Sequence, residues 1–231
     1  MAPVQLRKLS KVYGRGTNRT RALRKLDLDV RNGEVIVVLG PKGSGKSTLL
    51  NILAGLERPS SGTYLLGRRD LTAASDRALE TLRRRRIGLI NQVPKFLPQL
   101  SMLENVKVAS TEAPRPMRAE AALTLVGLGK FIHALPSQLT ETQRYLAAIA
   151  RAVAKRPDLL ICDQPTEALS LDAAISVVKM LEMVSSVLDL TTFVSTRSIR
   201  LKSIGNRVVY LLDGRLVGER QTDPVAAANH R

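Results

Sequence analysis

The chain has one cysteine, two histidines and no tryptophan, and aromatic residues make up only 3% of it. The lone Cys162 forms no internal disulfide and builds no cysteine zinc site. His133 and His230 lie far apart and beside no carboxylate cluster, which counts against a histidine metal centre. So few aromatics offer little for unpaired bases to stack on, as single-strand nucleic-acid binders require. Long hydrophobic runs are missing too. The best, Val35–Leu39 and residues 208–212, have strand length, far short of the ~18 residues that cross a bilayer. Residues 1–11 mix charged and apolar side chains and show no signal-peptide core.

What is present is ordinary in amount and unusual in charge. The 231 residues are 44% hydrophobic and 24% charged, enough to bury a core rather than remain disordered. Lys and Arg number 36 against 20 Asp and Glu, a net charge of +16. Such an excess suits nucleic acid, an anionic membrane face or an acidic partner, and it also suits arginines that are simply solvated. The densest run is Arg83, Arg84, Arg85 and Arg86.

Patterning predicts an α/β fold. Residues 4–9 and 26–30 alternate apolar and polar as half-buried strands do, with a polar loop over 14–20 between them. Val35–Leu39 is a continuous β-branched run, the mark of a strand buried on both faces of a parallel sheet. Similar runs occupy 87–90, 159–162, 191–195 and 208–212, and helical stretches separate most of them. A helix is expected over 46–56, with Leu49, Leu50, Leu53 and Leu56 on one side and Pro59 ending it. Residues 92–155 hold no strand pattern. They are read as an inserted helical subdomain with two amphipathic helices, near 118–126 and 140–154, interrupting a core made of 1–91 and 156–231.

Gly40, Pro41, Lys42, Gly43, Ser44, Gly45, Lys46 and Ser47, followed by Thr48, fit G-x-x-x-x-G-K-[ST] between a buried strand and a helix. Glycines let backbone N–H groups turn inward around phosphate oxygens, and the helix N-terminus favours the anion. Lys46 reaches the β and γ phosphates, and Ser47 is placed to ligate Mg²⁺. The apolar strand 159–162 ends at Asp163, a carboxylate positioned to hold Mg²⁺ through water. No Asn-Lys-x-Asp stretch for reading guanine occurs, so a small GTPase is disfavoured.

These motifs and their order resemble the nucleotide-binding domain of ABC transporters, over about residues 4–216. The likeness is greatest to ATPase subunits of the lipoprotein-releasing and macrolide-exporter type. The resemblance makes Tyr13 an adenine-stacking aromatic, and Gln92 a glutamine that contacts Mg²⁺ and links the site to a transmembrane partner. It aligns the signature motif with Leu139, Thr140, Glu141, Thr142 and Gln143, where the family has Leu-Ser-Gly-Gly-Gln. It places Gln164 where the family has a catalytic glutamate, Arg197 where it has a switch histidine, and Ser170 where it has an aspartate.

An amide holds a water but takes up its proton poorly. Arginine keeps a donor and a full charge but changes the geometry. Glu141 puts a carboxylate where the opposite subunit's phosphate would approach, and Thr142 adds bulk where glycine allows close contact. Each change is either drift or altered function, and for Gln164 also a possible laboratory exchange. The resemblance thus implies a subunit that binds ATP and Mg²⁺ and hydrolyses little. It would pair with a second, intact ATP-binding subunit and a separate permease, peripheral to the cytoplasmic face of the membrane, with nucleic acid not expected. A fully active ATPase subunit and a basic, nucleic-acid-associated NTPase are the alternatives.

Overall fold

A computed structural model describes residues 4–167, 169–198 and 205–222. His230 and the outermost residues of the expected core, 1–3 and 223–231, lie outside that set. Two sheets organise the chain. The first is antiparallel and four-stranded, in the order β2 (Thr20–Val30), β1 (Val4–Tyr13), β4 (Ser61–Leu66), β5 (Arg69–Asp70). The second has six strands: β10 (Arg215–Gln221), β9 (Arg207–Leu212), β3 (Val35–Leu39), β8 (Thr191–Thr196), β7 (Leu159–Asp163) and β6 (Ile87–Ile90). Its four pairings from β9 to β6 are parallel, and only the β9–β10 hairpin is antiparallel.

The second sheet is apolar on both faces because helices cover both. On one face Ile36, Val38, Ile161, Phe193 and Val209 pack with Leu49, Leu50 and Leu53 of α1 (Lys46–Leu53) and with the antiparallel sheet. On the other, Leu160, Cys162 and Val194 join α5 (Glu141–Val153) and α6 (Leu171–Val187), and Val37 and Val208 meet Val178 of α6. The period-two alternation of side chains divides each strand between the two layers. Burying both faces is what makes the strands read as unbroken hydrophobic runs. Burial raises the Cys162 thiol pKa far above its ordinary value, with the charge of Asp163 adding to it, so this cysteine is an inert core residue.

Several expectations need correction. The helix after the glycine-rich loop ends at Leu53, not Leu56, and Gly55 rather than Pro59 ends it. Gly55 has φ 66°. Its N–H bonds the Ile52 carbonyl at 2.9 Å and the Leu56 N–H bonds the Asn51 carbonyl at 2.8 Å, a Schellman ending that leaves Leu56 exposed. β1 and β2 run longer than their alternating segments, so the loop between them ends at Arg19, and residues 16–18 form a 3-10 turn. Residues 92–155 hold three α-helices, not two: α3 (Met102–Ser110), α4 (Ala119–Leu125) and α5.

The arginine run closes α2 (Asp76–Arg86), where cations suit the carbonyl end of a helix. It is largely engaged. Arg83 bonds the Gly55 carbonyl, Arg84 pairs with Glu80 and Glu112, and Arg86 pairs with Asp158 at 3.3 Å.

Candidate nucleotide site

A cavity of about 770 Å³ opens at the C-terminal edge of the parallel strands, where open α/β sheets take their ligands. Lys42, Gly43, Gly45, Lys46, Ser47 and Thr48 line one side of it, in the loop from β3 into α1. Gly45 caps α1 at φ 101°, and a Cβ there would run into the Ala22 carbonyl of β2. Gly43 has φ 80°. Only glycine takes both conformations without strain, so the loop can present its N–H groups to the cavity. Gly40, Pro41 and Ser44 form the turn beneath, with Ser44 buried and Pro41 exposed. Ser44 N–H reaches the Pro41 carbonyl at 3.3 Å, and Gly40 N–H bonds Thr196 of β8 at 3.4 Å.

Lys46 is only 4% exposed. Its ammonium donates to the carbonyls of Gly40 at 2.8 Å and Pro41 at 2.7 Å, folded back along the loop. Burial pulls its pKa below the usual lysine value. Glu167 and Asp163 oppose the shift, and Arg197 adds to it. Ser47 Oγ donates to Asp163 Oδ1 at 3.3 Å, and Ser195 Oγ donates to the same oxygen at 2.6 Å. A hydroxyl and a carboxylate side by side are hard oxygen ligands of the kind Mg²⁺ takes.

The structure places the other predicted residues unequally. Gln92, Gln164 and Arg197, from the ends of β6, β7 and β8, all line the cavity. Tyr13, at the end of β1, does not line it directly. Its hydroxyl donates to Glu57 and lies 3.5 Å from Thr48, which does, and Lys11 Nζ sits 5.1 Å from its ring centre. Burial, then the Glu57 contact, raises the Tyr13 pKa. The signature stretch 139–143 is not part of the cavity wall. Leu139 is buried, and Thr140 caps α5, its Oγ1 accepting from Gln143 N–H at 3.2 Å while Gln143 Oε1 accepts from Thr140 N–H at 2.9 Å. Glu141 is exposed in the first turn. Ser170 caps α6.

Sequence reasoning missed two features. Arg19, Arg21 and Arg24 of β2 and its approach line the cavity, so part of the positive charge surrounds this site. Glu167 lies in it as well, paired with Arg197. Arginines spaced two and three residues apart signal a phosphate site only once the register of β2 beside the loop is known.

The family model described as ABC transporter matches residues 23–167. The chain belongs to the ABC transporter family. As an ABC ATP-binding domain it is 37% identical to the lipoprotein-releasing system ATP-binding protein LolD 2 of Caulobacter vibrioides, over 93% of this chain and 96% of that protein. An uncharacterised ABC transporter ATP-binding protein of Thermotoga maritima is 36% identical over 90% and 91%. A macrolide export ATP-binding/permease protein, MacB of Rhodopseudomonas palustris, is 34% identical over 97% of this chain but only 35% of its own length. Among solved structures, a dimeric post-hydrolysis state of the ATP-binding cassette MJ0796 bound to ADP and phosphate superposes with a TM-score of 0.84. It is 31% identical, over 95% of this chain and 99% of that one. The chain is therefore an ATP-binding component of an ABC transporter, and among the described residues no helix is long and apolar enough to cross a membrane.

Proposed function

We propose that the chain binds MgATP in the 770 Å³ cavity but hydrolyses it poorly, and that it closes against a second, intact ATP-binding subunit rather than a copy of itself. One observation carries this reading: the phosphate loop is complete, while Gln92, Gln164 and Arg197 are all turned onto Glu167. Asp163 and Ser47 would hold Mg²⁺ with the nucleotide's own phosphates. Among the described residues no cluster of three His, Cys, Asp or Glu forms a metal site alone. Bound Mg²⁺ supplies charge neutralisation at the phosphates. Gln92 would stand beside them, and Tyr13 would stack on adenine from above Thr48.

In two domains set head to tail, a site with this chain's Lys46 lacks its base, and a site with this chain's signature meets Glu141. A homodimer is damaged at both sites; an intact partner leaves one site needing only a tolerant signature. We take residues 1–91 and 156–231 as the ATP-binding core and 92–155 as the arm that carries Gln92 and the signature. Val93, Leu97 and Val108 are exposed apolar side chains on that arm, 62%, 49% and 56% accessible, which supports docking against a permease at the cytoplasmic face.

The test is phosphate release by the purified chain together with its mass in MgATP. Background turnover by a monomer is expected. Turnover that Lys46→Ala abolishes would show another base at work, and an ATP-dependent homodimer would remove the heterodimer.

A further inference from the structure

Three side chains from three different strand ends meet on one carboxylate. Arg197 donates through Nε and Nη2 to the two oxygens of Glu167. Gln92 Nε2 donates to Oε2 at 3.1 Å. The Gln164 amide, oriented with its nitrogen towards Glu167, donates to Oε2 at 2.8 Å and also reaches Oε1. A carboxylate offers about four lone-pair sites, and these donors fill them. The Glu167 side chain keeps only 14% of its exposure. A guanidinium fork and two amides around two anionic oxygens is the donor set that phosphate oxygens also take. Lys46 lines the same cavity and senses the charge of Glu167.

These donors take up the lone pairs of Glu167 and hold its carboxylate in place. Resting on the nucleotide-site reading, we propose that Glu167 stands in for the terminal phosphate and sets the specificity of the site between nucleoside diphosphates and triphosphates. A diphosphate meets the phosphate loop unopposed. A third phosphate must take Arg197, Gln92 and Gln164 from Glu167 and then sit beside a displaced like charge, which cancels what its own contacts contribute. The chain then gains little from the third phosphate, and its nucleotide state follows the ADP to ATP ratio rather than ATP alone.

The test is calorimetric titration of MgADP and MgATP onto the full chain, onto Glu167→Gln and Glu167→Gly, and onto Lys46→Ala. In the unmodified chain the two nucleotides are expected to bind within about threefold of each other. Glu167→Gln is expected to tighten ATP about tenfold, a difference of about 1.4 kcal/mol, with ADP moved much less. Glu167→Gly is expected to do the same, and ADP binding by each variant reports that its phosphate loop is folded. An ATP preference already present in the unmodified chain and unchanged in both variants overturns the inference while leaving the nucleotide site intact. Loss of ATP affinity in Glu167→Gln also overturns it, because Glu167 would then be assisting the third phosphate. Failure of MgADP to bind, or binding indifferent to Lys46→Ala, overturns the nucleotide site and this inference together.

Discussion

The two walls of the cavity are made of different material. The phosphate-loop wall is backbone: glycines at positive φ, N–H groups at the start of α1 and one buried ammonium bonded to the loop's own carbonyls, with Gly40 N–H tied to Thr196 of β8. The opposite wall is side chain. Gln92, Gln164, Glu167 and Arg197 project from loops after β6, β7 and β8 and bond to one another, with Arg197 nearly half exposed. A backbone cradle is fixed by the fold that surrounds it, so losing it means losing the fold locally. A side-chain rim changes residue by residue at little cost to folding. On the proposed reading, this difference lets a complete phosphate loop stand beside a rim in which residues 164 and 197 are altered.

The sharpest way to break that contrast is to attack the one side chain in the backbone wall. Lys46→Ala removes a buried cation whose function is electrostatic, and losses of 2–5 kcal/mol are usual for a desolvated charge partner. Affinity for both ADP and ATP is expected to fall on the order of 10²-fold or more, measured by the same titrations. Equal binding by the variant would mean that the cradle is not where phosphate sits. The next largest effect belongs to Gly45→Ala. It forces a Cβ against the Ala22 carbonyl at φ 101°. The strain is about 1–3 kcal/mol, seen as a melting temperature lower by several degrees and as weaker binding of either nucleotide. A rim substitution of equal bulk is expected to leave the melting temperature almost unmoved.

The rim itself is tested by hydrolysis. Gln164→Glu restores a carboxylate but sets it against Glu167, and two like charges in one pocket do not both ionise freely. Little gain in phosphate release is expected from that single change. Gln164→Glu combined with Glu167→Gly is expected to raise release about tenfold over background, a fraction of the ~10²–10⁴-fold that a general base is worth. In the purified monomer no opposing half-site closes on the nucleotide, which limits the recovery. Equal rates for the single and the double change would show that Glu167 does not restrain the rim.

The same division governed what the sequence revealed. The phosphate loop, β3 and Asp163 were legible because backbone requirements and double-faced burial leave strong local marks: glycines at fixed spacing and unbroken β-branched runs. Helix α3 was missed although Ser101 and Glu104 form a capping box, with Glu104 N–H bonding Ser101 Oγ at 3.3 Å. At nine residues it offers too few apolar positions to mark a helical period. The Schellman ending at Gly55 was hidden because Leu56 continues the helical spacing past it. Glu167 was invisible as a site residue. Its partners come from three strands, and no spacing in the chain predicts that a turn after β7 aims a carboxylate at Arg197.

The smallest expected effect tests whether the signature region stands apart from the cavity in a single chain. Thr140 caps α5, and that helix buries Tyr145, Ala148, Ile149 and Ala152 against α3, α6 and the sheet. Thr140→Ala removes the side-chain acceptor for Gln143 N–H and leaves an unsatisfied donor at the helix start. The cost is about 1 kcal/mol, a melting temperature lower by roughly 2–4 °C in a chain of this size. Nucleotide affinity of the isolated chain is expected to stay unchanged, because none of residues 139–143 lines the cavity. The Tyr145 hydroxyl, one turn into α5, joins the regions by donating to the Gln92 carbonyl at the rim. If Thr140→Ala shifts ATP affinity while ADP affinity holds, the disturbance has travelled through α5 and Tyr145 to Gln92. The rim would then belong with the signature helix as one mobile unit, set against a fixed phosphate loop.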